Sequence, residues 1–518
     1  MTRAPSLFVD EGERAFAECV RALSRTNPFT EERRALERRA LGDAFVVVRG
    51  PWGAGFDRRA NNPNVVEIEA RAVRLADALV TRRGERALDD DDRALFVSVQ
   101  RFALYAVHGD ALAAHLPSVV DERGARRRPV APLFAAFAKD ARARLSGLAP
   151  LDDGALARTF AHFWQLRRAF HHVFTQILGG SSPTCALRAR IWESIFTHDL
   201  ARYERALTGK MSELPTLILG PSGSGKELVA RAIARAAFIP YDVGAGAFVD
   251  DSEPLSALHL AALPPTLVES ALFGHVKGAF TGAIADRVGA FERSSAHGTV
   301  FLDEIGELTG ELQVKLLRVL EARTFQRVGD DVVRSFRGKV IAATHRDLAR
   351  AMDEGLFRED LYFRLCADVV VTPSLSARVA DDDGELPLLV QFLAARLVGD
   401  DEAPALADTV LAFIARALPR HPWPGNVREL DQCVRNVLVT GRYEPAARAA
   451  APVIDDDPFV RAVREGALSF DALVDEYCAR AYARTGSYEE VARALGLDRR
   501  TVKKHVDAAP RHRGLASE

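Results

Sequence analysis

Apolar residues recur every three or four positions through much of residues 1–190, as in AHFWQLRRAFHHVFTQIL (161–178), and that period predicts helices with one buried face. A stretch rich in Gly, Pro and Asn, GPWGAGFDRRANNPN (50–64), predicts a loop, and VVEIEA just after it is expected as a short strand. The acidic run Asp89–Asp92 reads as a solvated turn. From 215 the pattern changes. TLILG (216–220) is a short apolar run closed by a Gly-rich turn, and KELVARAIARAA after it has a helical period. TVFLDE (299–304) ends in paired acids and KVIAAT (339–344) in threonine. Short apolar runs alternating with helices predict a parallel α/β sheet with its ligand at the carboxyl ends of the strands. Residues 385–440 read as helical again, RYEPAARAAAPVIDDDP (442–458) as a linker, and 470–509 as three helices separated by short turns.

Composition narrows the picture. A chain of 518 residues is expected to hold several domains. Lys+Arg 69 against Asp+Glu 71 leaves a net charge of −2, so contact with DNA has to come from a local patch. No run reaches the ~18–20 apolar residues of a membrane span, and the N-terminus carries acids where a secretory signal would be apolar. Five scattered cysteines without CxxC spacing give neither a disulfide framework nor a zinc signature, and a cytoplasmic location is expected. Only 8 of the 69 basic residues are lysine, so each lysine draws notice.

Gly220-Pro221-Ser222-Gly223-Ser224-Gly225-Lys226 satisfies GxxxxGK between a predicted strand and a predicted helix, the context a phosphate loop needs. Glycines let backbone N–H groups turn inward around phosphate, the helix start adds positive dipole, and Lys226 reaches the terminal phosphates. Glu227 stands where a Ser or Thr often follows, which leaves Ser224 or water as the hydroxyl donor to Mg²⁺. Asp303 and Glu304 close the second apolar run; in a phosphate-loop enzyme the acid pair holds Mg²⁺ and polarises the attacking water.

Residues from about 214 to 440 resemble the AAA+ domain of bacterial sigma-54-dependent transcription activators. The deciding residues are Gly278-Ala279-Phe280-Thr281-Gly282-Ala283, a GAFTGA hexapeptide within ESALFGHVKGAFTGA (269–283), accompanied by GAFERSSAHGTVFLDEIGELTGELQVKLLRVLEARTFQRVG (289–329), FREDLYFRL (357–365) and HPWPGNVREL (421–430). The resemblance implies an ATPase using ATP and Mg²⁺, with Lys226, Asp303 and Glu304 catalytic and Asp303 on the metal. Phe280 and Thr281 would form the tip of a loop touching sigma-54. Arg358 and Arg364 resemble arginine fingers acting in trans, which requires a ring, usually a hexamer, and Arg428 resembles the sensor arginine of the lid. The family's first sensor is Thr-Asn where this chain has Thr344-His345, and an Asn that restrains the catalytic Glu is here His259. A charged imidazole at either place is expected to attract Glu304 and slow hydrolysis.

The tail FDALVDEYCARAYARTGSYEEVARALGLDRRTVKKHVDAA (470–509) resembles the Fis-type helix-turn-helix that ends these activators. Seven Lys/Arg and two Asp between Arg493 and Arg513 make a local basic patch, and Arg499, Arg500, Thr501, Lys503 and Lys504 are the expected DNA contacts. A lysine-free stretch before Lys139 excludes a phosphorylatable receiver. Phe160, His162, Trp164, His171 and His172 could line a ligand or metal pocket, but on one amphipathic helix such residues are more often core and surface positions. The expected organisation is a mostly helical regulatory region (1–190), an α/β AAA+ core (191–378), a helical lid (379–441), a linker (442–459) and an all-α DNA-binding domain (460–518). The function implied is a cytoplasmic ring ATPase that binds double-stranded upstream DNA and remodels sigma-54 RNA polymerase. A DNA-binding regulator whose nucleotide site controls assembly but hydrolyses ATP poorly is the alternative.

Overall fold

The computed structural model describes residues 7–48, 62–84, 87–116, 130–148, 151–249, 255–445, 459, 462–463 and 466–509. Most of the 50–64 loop and residues 446–458 of the expected linker lie outside that set.

Seven helices occupy the N-terminal part: α1 (Glu11–Leu23), α2 (Glu31–Leu41), α3 (Pro63–Arg83), α4 (Asp90–Ala113), α5 (Ala131–Leu145), α6 (Asp153–Gln176) and α7 (Ser182–Phe196). Five start on a side-chain cap: Asp10, Asn62, Asp89, Asp152 and Ser181 each accept a hydrogen bond from the backbone N–H three residues on. VVEIEA is not a strand. Asn62 caps and Pro63 opens α3, and Val65, Ile68, Ala72, Leu75, Ala76 and Leu79 keep a helical period of burial far beyond that six-residue window. Nor is Asp89–Asp92 a solvated turn: Asp89 is the cap of α4, and Asp92 is buried against Arg14 at 2.5 Å.

The sheet comprises β1 (Thr216–Leu219), β2 (Leu255–His259), β3 (Thr299–Asp303), β4 (Lys339–Thr344) and β5 (Asp368–Val371), all parallel, in the order β5-β1-β4-β3-β2. Its register aligns Leu219 with Thr344 and Val371, and Asp303 with Ala343 and His259. The carboxyl ends that carry chemistry therefore lie side by side. On one face, α8 (Lys226–Arg235) contributes Val229 and Ile233 to a core with Ile218, Phe301 and Ile341. On the other, Leu312 and Leu316 of α9 (Gly310–Ala322) and Leu361 and Leu365 of α10 (Glu359–Leu365) bury Val300, Leu302, Val340 and Ala342.

Helix α6 continues the first of these cores. Ala169, Val173 and Phe174 pack into it, while Gln165 and Arg168 donate to the carbonyls of Ala236 and Ala237, each at 3.0 Å. Phe160 and Trp164 stack on Phe248 with centroids 5.9 and 5.1 Å apart. His162 and His172 are buried, which accords with their reading as core residues of the helix. Met1–Arg442 is one compact unit, so the chain near 190 is no break in packing.

The lid is α11 (Leu375–Asp381), α12 (Glu385–Val398), α13 (Ala403–Ala417) and α14 (Asn426–Thr440). A buried polar cluster fastens it to the turn before α7. The Glu385 carboxylate accepts from Ser181 N, Thr184 Oγ1 and Arg378 Nη2, each at 2.9 Å, and Arg378 also donates to Leu178 O at 2.6 Å.

The second unit, Tyr443–Glu518, holds α15 (Phe470–Thr485), α16 (Tyr488–Leu495) and α17 (Arg499–Ala508). Cys478, Val491, Val502 and Ala509 are buried among its three helices, and Gly486 and Gly496 end the first two helices in the left-handed region at φ 67° and 66°.

Candidate functional site

Residues 220–225 turn from β1 into α8, with Gly220, Gly223 and Gly225 at φ 146°, 77° and 94°. A side chain at two of these positions would fill the turn: a Cβ at Gly220 would fall 2.1 Å from Thr372 Oγ1, and one at Gly223 2.2 Å from Gly425 O. Lys226 opens α8, and its ammonium, on a buried side chain, donates to Gly220 O (3.0 Å) and Pro221 O (3.2 Å). Burial lowers its pKa, against the opposing pull of Glu304 and Asp303. Ser224 is committed within the loop, bonded to Pro221 O at 2.7 Å and Thr372 Oγ1 at 2.6 Å. Glu227 points outward and pairs with Arg231 at 2.7 Å.

The lid closes on this loop through three consecutive residues. Asn426, at φ 54°, donates to Ser222 O (2.9 Å) and accepts from Leu375 N (2.8 Å). Val427 N donates to Gly223 O (3.1 Å), and Arg428 Nη1 reaches Ser222 Oγ (3.3 Å). Asn426 and Thr372 were not singled out in the sequence. A residue following Gly425 that tolerates positive φ, and a threonine closing the apolar run DVVV, were the available signals.

At the strand ends, Glu304 takes the left-handed conformation at φ 59°, uncommon for a side chain of its size, and its N–H bonds to Asp303 Oδ1 at 3.1 Å. Its carboxylate accepts from His345 Nδ1 (2.8 Å), His345 N (3.4 Å) and Thr344 Oγ1 (3.4 Å). Burial pushes this carboxyl up, but the hydrogen bonds from His345 and the nearby Lys226 outweigh it and hold it below its ordinary value. His259 does not reach Glu304; its Nδ1 lies 3.0 Å from Asp303 Oδ2. The parallel register is the reason, because it puts His259 directly beside Asp303. The expected attraction to the catalytic carboxylate therefore falls to His345 alone.

GAFTGA lies in a loop closed by a short antiparallel pair, Gly274–His275 with Arg287–Val288. Gly278 N donates to Ala283 O at 2.8 Å, and Gly278 and Gly282 take φ 83° and 100°. Thr281 is exposed, but Phe280 is half-buried, its ring edge-on to buried His275 with centroids 4.9 Å apart. A second hairpin supports the base: Val276 N donates to Val328 O (3.1 Å), Val328 N to Gly274 O (2.9 Å), and Arg327 grips Glu292 at 2.6 and 2.8 Å.

With a phosphate-loop turn, an acid pair and this hexapeptide loop on one five-stranded sheet, comparison with known proteins is decisive for residues 197–370, which match the family described as "Sigma-54 interaction domain". Residues 197–370 are thus similar to the sigma-54 interaction domain. It is 43% identical over 240 residues to the anaerobic nitric oxide reductase transcription regulator NorR of Aeromonas hydrophila, covering 46% of this chain and 43% of that protein. It is 39% identical over 304 residues to the transcriptional regulatory protein ZraR of Escherichia coli K12, covering 56% and 62%. To the Nif-specific regulatory protein of Azotobacter vinelandii it is 37% identical over 302 residues, covering 57% and 54%. The matched segment thus spans between about two-fifths and three-fifths of these relatives.

Within the segment 197–370, Arg358 and Arg364 make no hydrogen bond or ion pair to the phosphate loop among the described residues. Arg358 caps α10 and pairs with Asp360 at 2.6 and 3.0 Å, and Arg364 pairs with Glu321 at 3.0 Å. Both are exposed.

In the second unit, Asp498 caps α17, accepting from Arg500 N (2.9 Å), Thr501 N (3.0 Å) and the Thr501 hydroxyl. Arg499, Arg500, Lys503 and Lys504 are exposed on this helix, while Thr501 is half-buried and occupied by the cap. Arg511 and Arg513 lie outside the described residues. Among the described residues, no cluster of His, Cys, Asp and Glu could hold a metal ion on its own, and no helix is long and apolar enough to cross a membrane.

Proposed function

We propose that this chain is a cytoplasmic, ring-forming ATPase that binds double-stranded DNA upstream of promoters and remodels sigma-54 RNA polymerase. The observation carrying this reading is that one sheet edge holds the glycine turn, Lys226, Asp303 and Glu304 under a lid contact from Arg428, while the same domain presents GAFTGA on a braced loop. The donor set fits a nucleotide with its metal: the turn has no room for a Cβ at Gly220 or Gly223, and Lys226 spends its ammonium on loop carbonyls where phosphate oxygens would compete for it. Mg²⁺ held by Asp303 would supply positive charge to the phosphate oxygens. Lys226 and the inward N–H groups bind the phosphates, Arg428 reads them from the lid, and Glu304 orients the attacking water and takes up its proton. Arg358 and Arg364, turned outward on α10, serve the site of a neighbouring copy, which makes a closed ring, a hexamer in our reading, the active form. Arg499, Arg500, Lys503 and Lys504 contact DNA phosphates and base edges, with Thr501 helping to set the start of the helix.

A regulator that uses nucleotide for assembly and hydrolyses it poorly is favoured by one specific observation, the 2.8 Å bond that ties Glu304 to His345. Steady-state ATP hydrolysis by the full chain and its Glu304→Gln variant, over a protein concentration series, separates the two. Turnover that rises cooperatively with concentration and disappears in the variant supports the motor. ATP binding without turnover above the variant supports the assembly switch, and His345→Asn is then expected to restore hydrolysis.

A further inference from the structure

Helices α1 to α7, with the segment Leu200–Arg205, line a cavity of about 560 Å³ that shares no wall residue with the nucleotide site. Its volume falls within the roughly 300–1,000 Å³ of small-molecule sites. The lining has two chemically distinct parts. Leu104, Phe137, Phe163, Leu166, Phe170 and Trp192 form an apolar, largely aromatic floor. The wall also carries Arg25, Arg33, Arg101, Arg158 and Arg205, with Glu69 and Glu204 as its acids.

The charges are not balanced internally. Arg101 takes Glu204 at 2.8 Å and Arg33 takes Glu37 at 2.9 Å, whereas Arg25, Arg158 and Arg205, all exposed, have no ion pair among the described residues. His162, bonded to Thr208 Oγ1 at 3.0 Å, adds no cation, because burial first and then Arg101 and Arg158 push it down to about 4. Tyr105, also in the wall, has a buried hydroxyl with no hydrogen-bond partner. An apolar floor, three exposed guanidinium groups without an ion pair among the described residues and an unused hydroxyl together describe a complementary ligand.

We propose that this cavity binds a small anionic amphiphile, an aromatic or alkyl body bearing one carboxylate. The body lies against Phe137, Phe163 and Trp192, and the carboxylate meets Arg158 and Arg205. The site also has a route to the sheet: Val65, Trp192 and Leu200 of its wall belong to the same continuous core as Ile218 of β1 and Val229 and Ile233 of α8. An occupant therefore packs against side chains whose core continues to β1 and α8, without itself touching those elements.

The test uses the full chain and tryptophan fluorescence, with 1-naphthaleneacetate and decanoate as probes and 1-naphthaleneethanol and decanol as their uncharged counterparts. Saturable binding is expected for at least one acid, about tenfold tighter than its alcohol, the value of a charge-assisted contact. The Arg158→Ala/Arg205→Ala variant should lose that preference and bind the acid no better than the alcohol. Leu104→Trp, which fills the floor, should abolish binding of both while its thermal midpoint stays near that of the parent. No saturable binding of either acid, equal affinity for acid and alcohol, or a preference that survives in the double arginine variant would each overturn the proposal. Because the readout is binding, it stands or falls independently of ATP turnover.

Discussion

Replacing Glu385 with alanine would strand a buried cation. In the native chain this side chain is fully buried and is the meeting point of Ser181 N, Thr184 Oγ1 and Arg378 Nη2. Its removal leaves Arg378 facing only the Leu178 carbonyl and strips two further donors of their acceptor. Breaking a buried pair on one side costs about 3–5 kcal/mol, with the unpaired charge as the dominant part. For the compact unit Met1–Arg442 that corresponds to a fall in Tm of about 3–5 °C. Glu385→Gln keeps the shape and an acceptor oxygen for Ser181 and Thr184 and loses only the charge, so a smaller fall is expected. The assay is thermal denaturation of the full chain, joined to hydrogen exchange over residues 177–184, where opening should be accelerated in the alanine variant. The sign with pH is also set. Burial raises the Glu385 carboxyl, but Arg378 and the bonds to Ser181 outweigh it, so its stabilisation is present above the ordinary carboxylate range and is lost as pH falls through the lowered value. The defect should thus be constant between pH 6 and 8. A shift of Tm within about 1 °C for the alanine variant, or identical effects of alanine and glutamine with no faster exchange at 177–184, would refute the account.

Three further outcomes are expected. His162, held neutral with a pKa of about 4, costs stability as pH falls from its unfolded value near 6.5 toward 4, to a limit of about 3 kcal/mol; His162→Leu should flatten urea midpoints measured across that range, and an unchanged slope would count against it. Gly220→Ala places a methyl 2.1 Å from the Thr372 hydroxyl at a φ that favours glycine, and should abolish binding of a fluorescent ATP analogue by the folded chain, whereas wild-type affinity would contradict the geometry of the turn. Asp498→Ala removes the cap of α17 and should destabilise the C-terminal unit by about 1 kcal/mol, read as earlier loss of its helical signal, with Asp498→Asn restoring most of it; an alanine variant as stable as the parent would show that the cap is idle.

Features confined to one element and its flanks were legible in the sequence. The glycine turn could be read because its backbone demands residues that tolerate positive φ, and the strands that precede Gly220, Glu304 and His345 because a sheet buried on both faces needs continuous apolar runs. The C-terminal helices could be read from the Gly at each end and the Asp before the last. VVEIEA was misread because six residues cannot distinguish a strand from one turn and a half of a buried helix, and the cap at Asn62 that decides it lies outside the window.

What depended on neighbours distant in the chain had no local signal. That His259 meets Asp303, while His345 takes Glu304, follows from strand register across residues more than 40 apart. The hold of Glu385 on Ser181 joins positions 204 apart, and the half-burial of Phe280 depends on the ring of His275. The cavity in the helical region is lined by seven helices, whose apolar faces look, alone, like ordinary core. Sequence by itself determined the elements, the phosphate turn and the hexapeptide loop, because those are written in backbone conformation and short-range period. Tertiary structure alone decided which carboxylate each histidine restrains, how the helical region joins the lid and where empty space remains, because pairing and packing are set by contacts between segments that the chain order keeps apart.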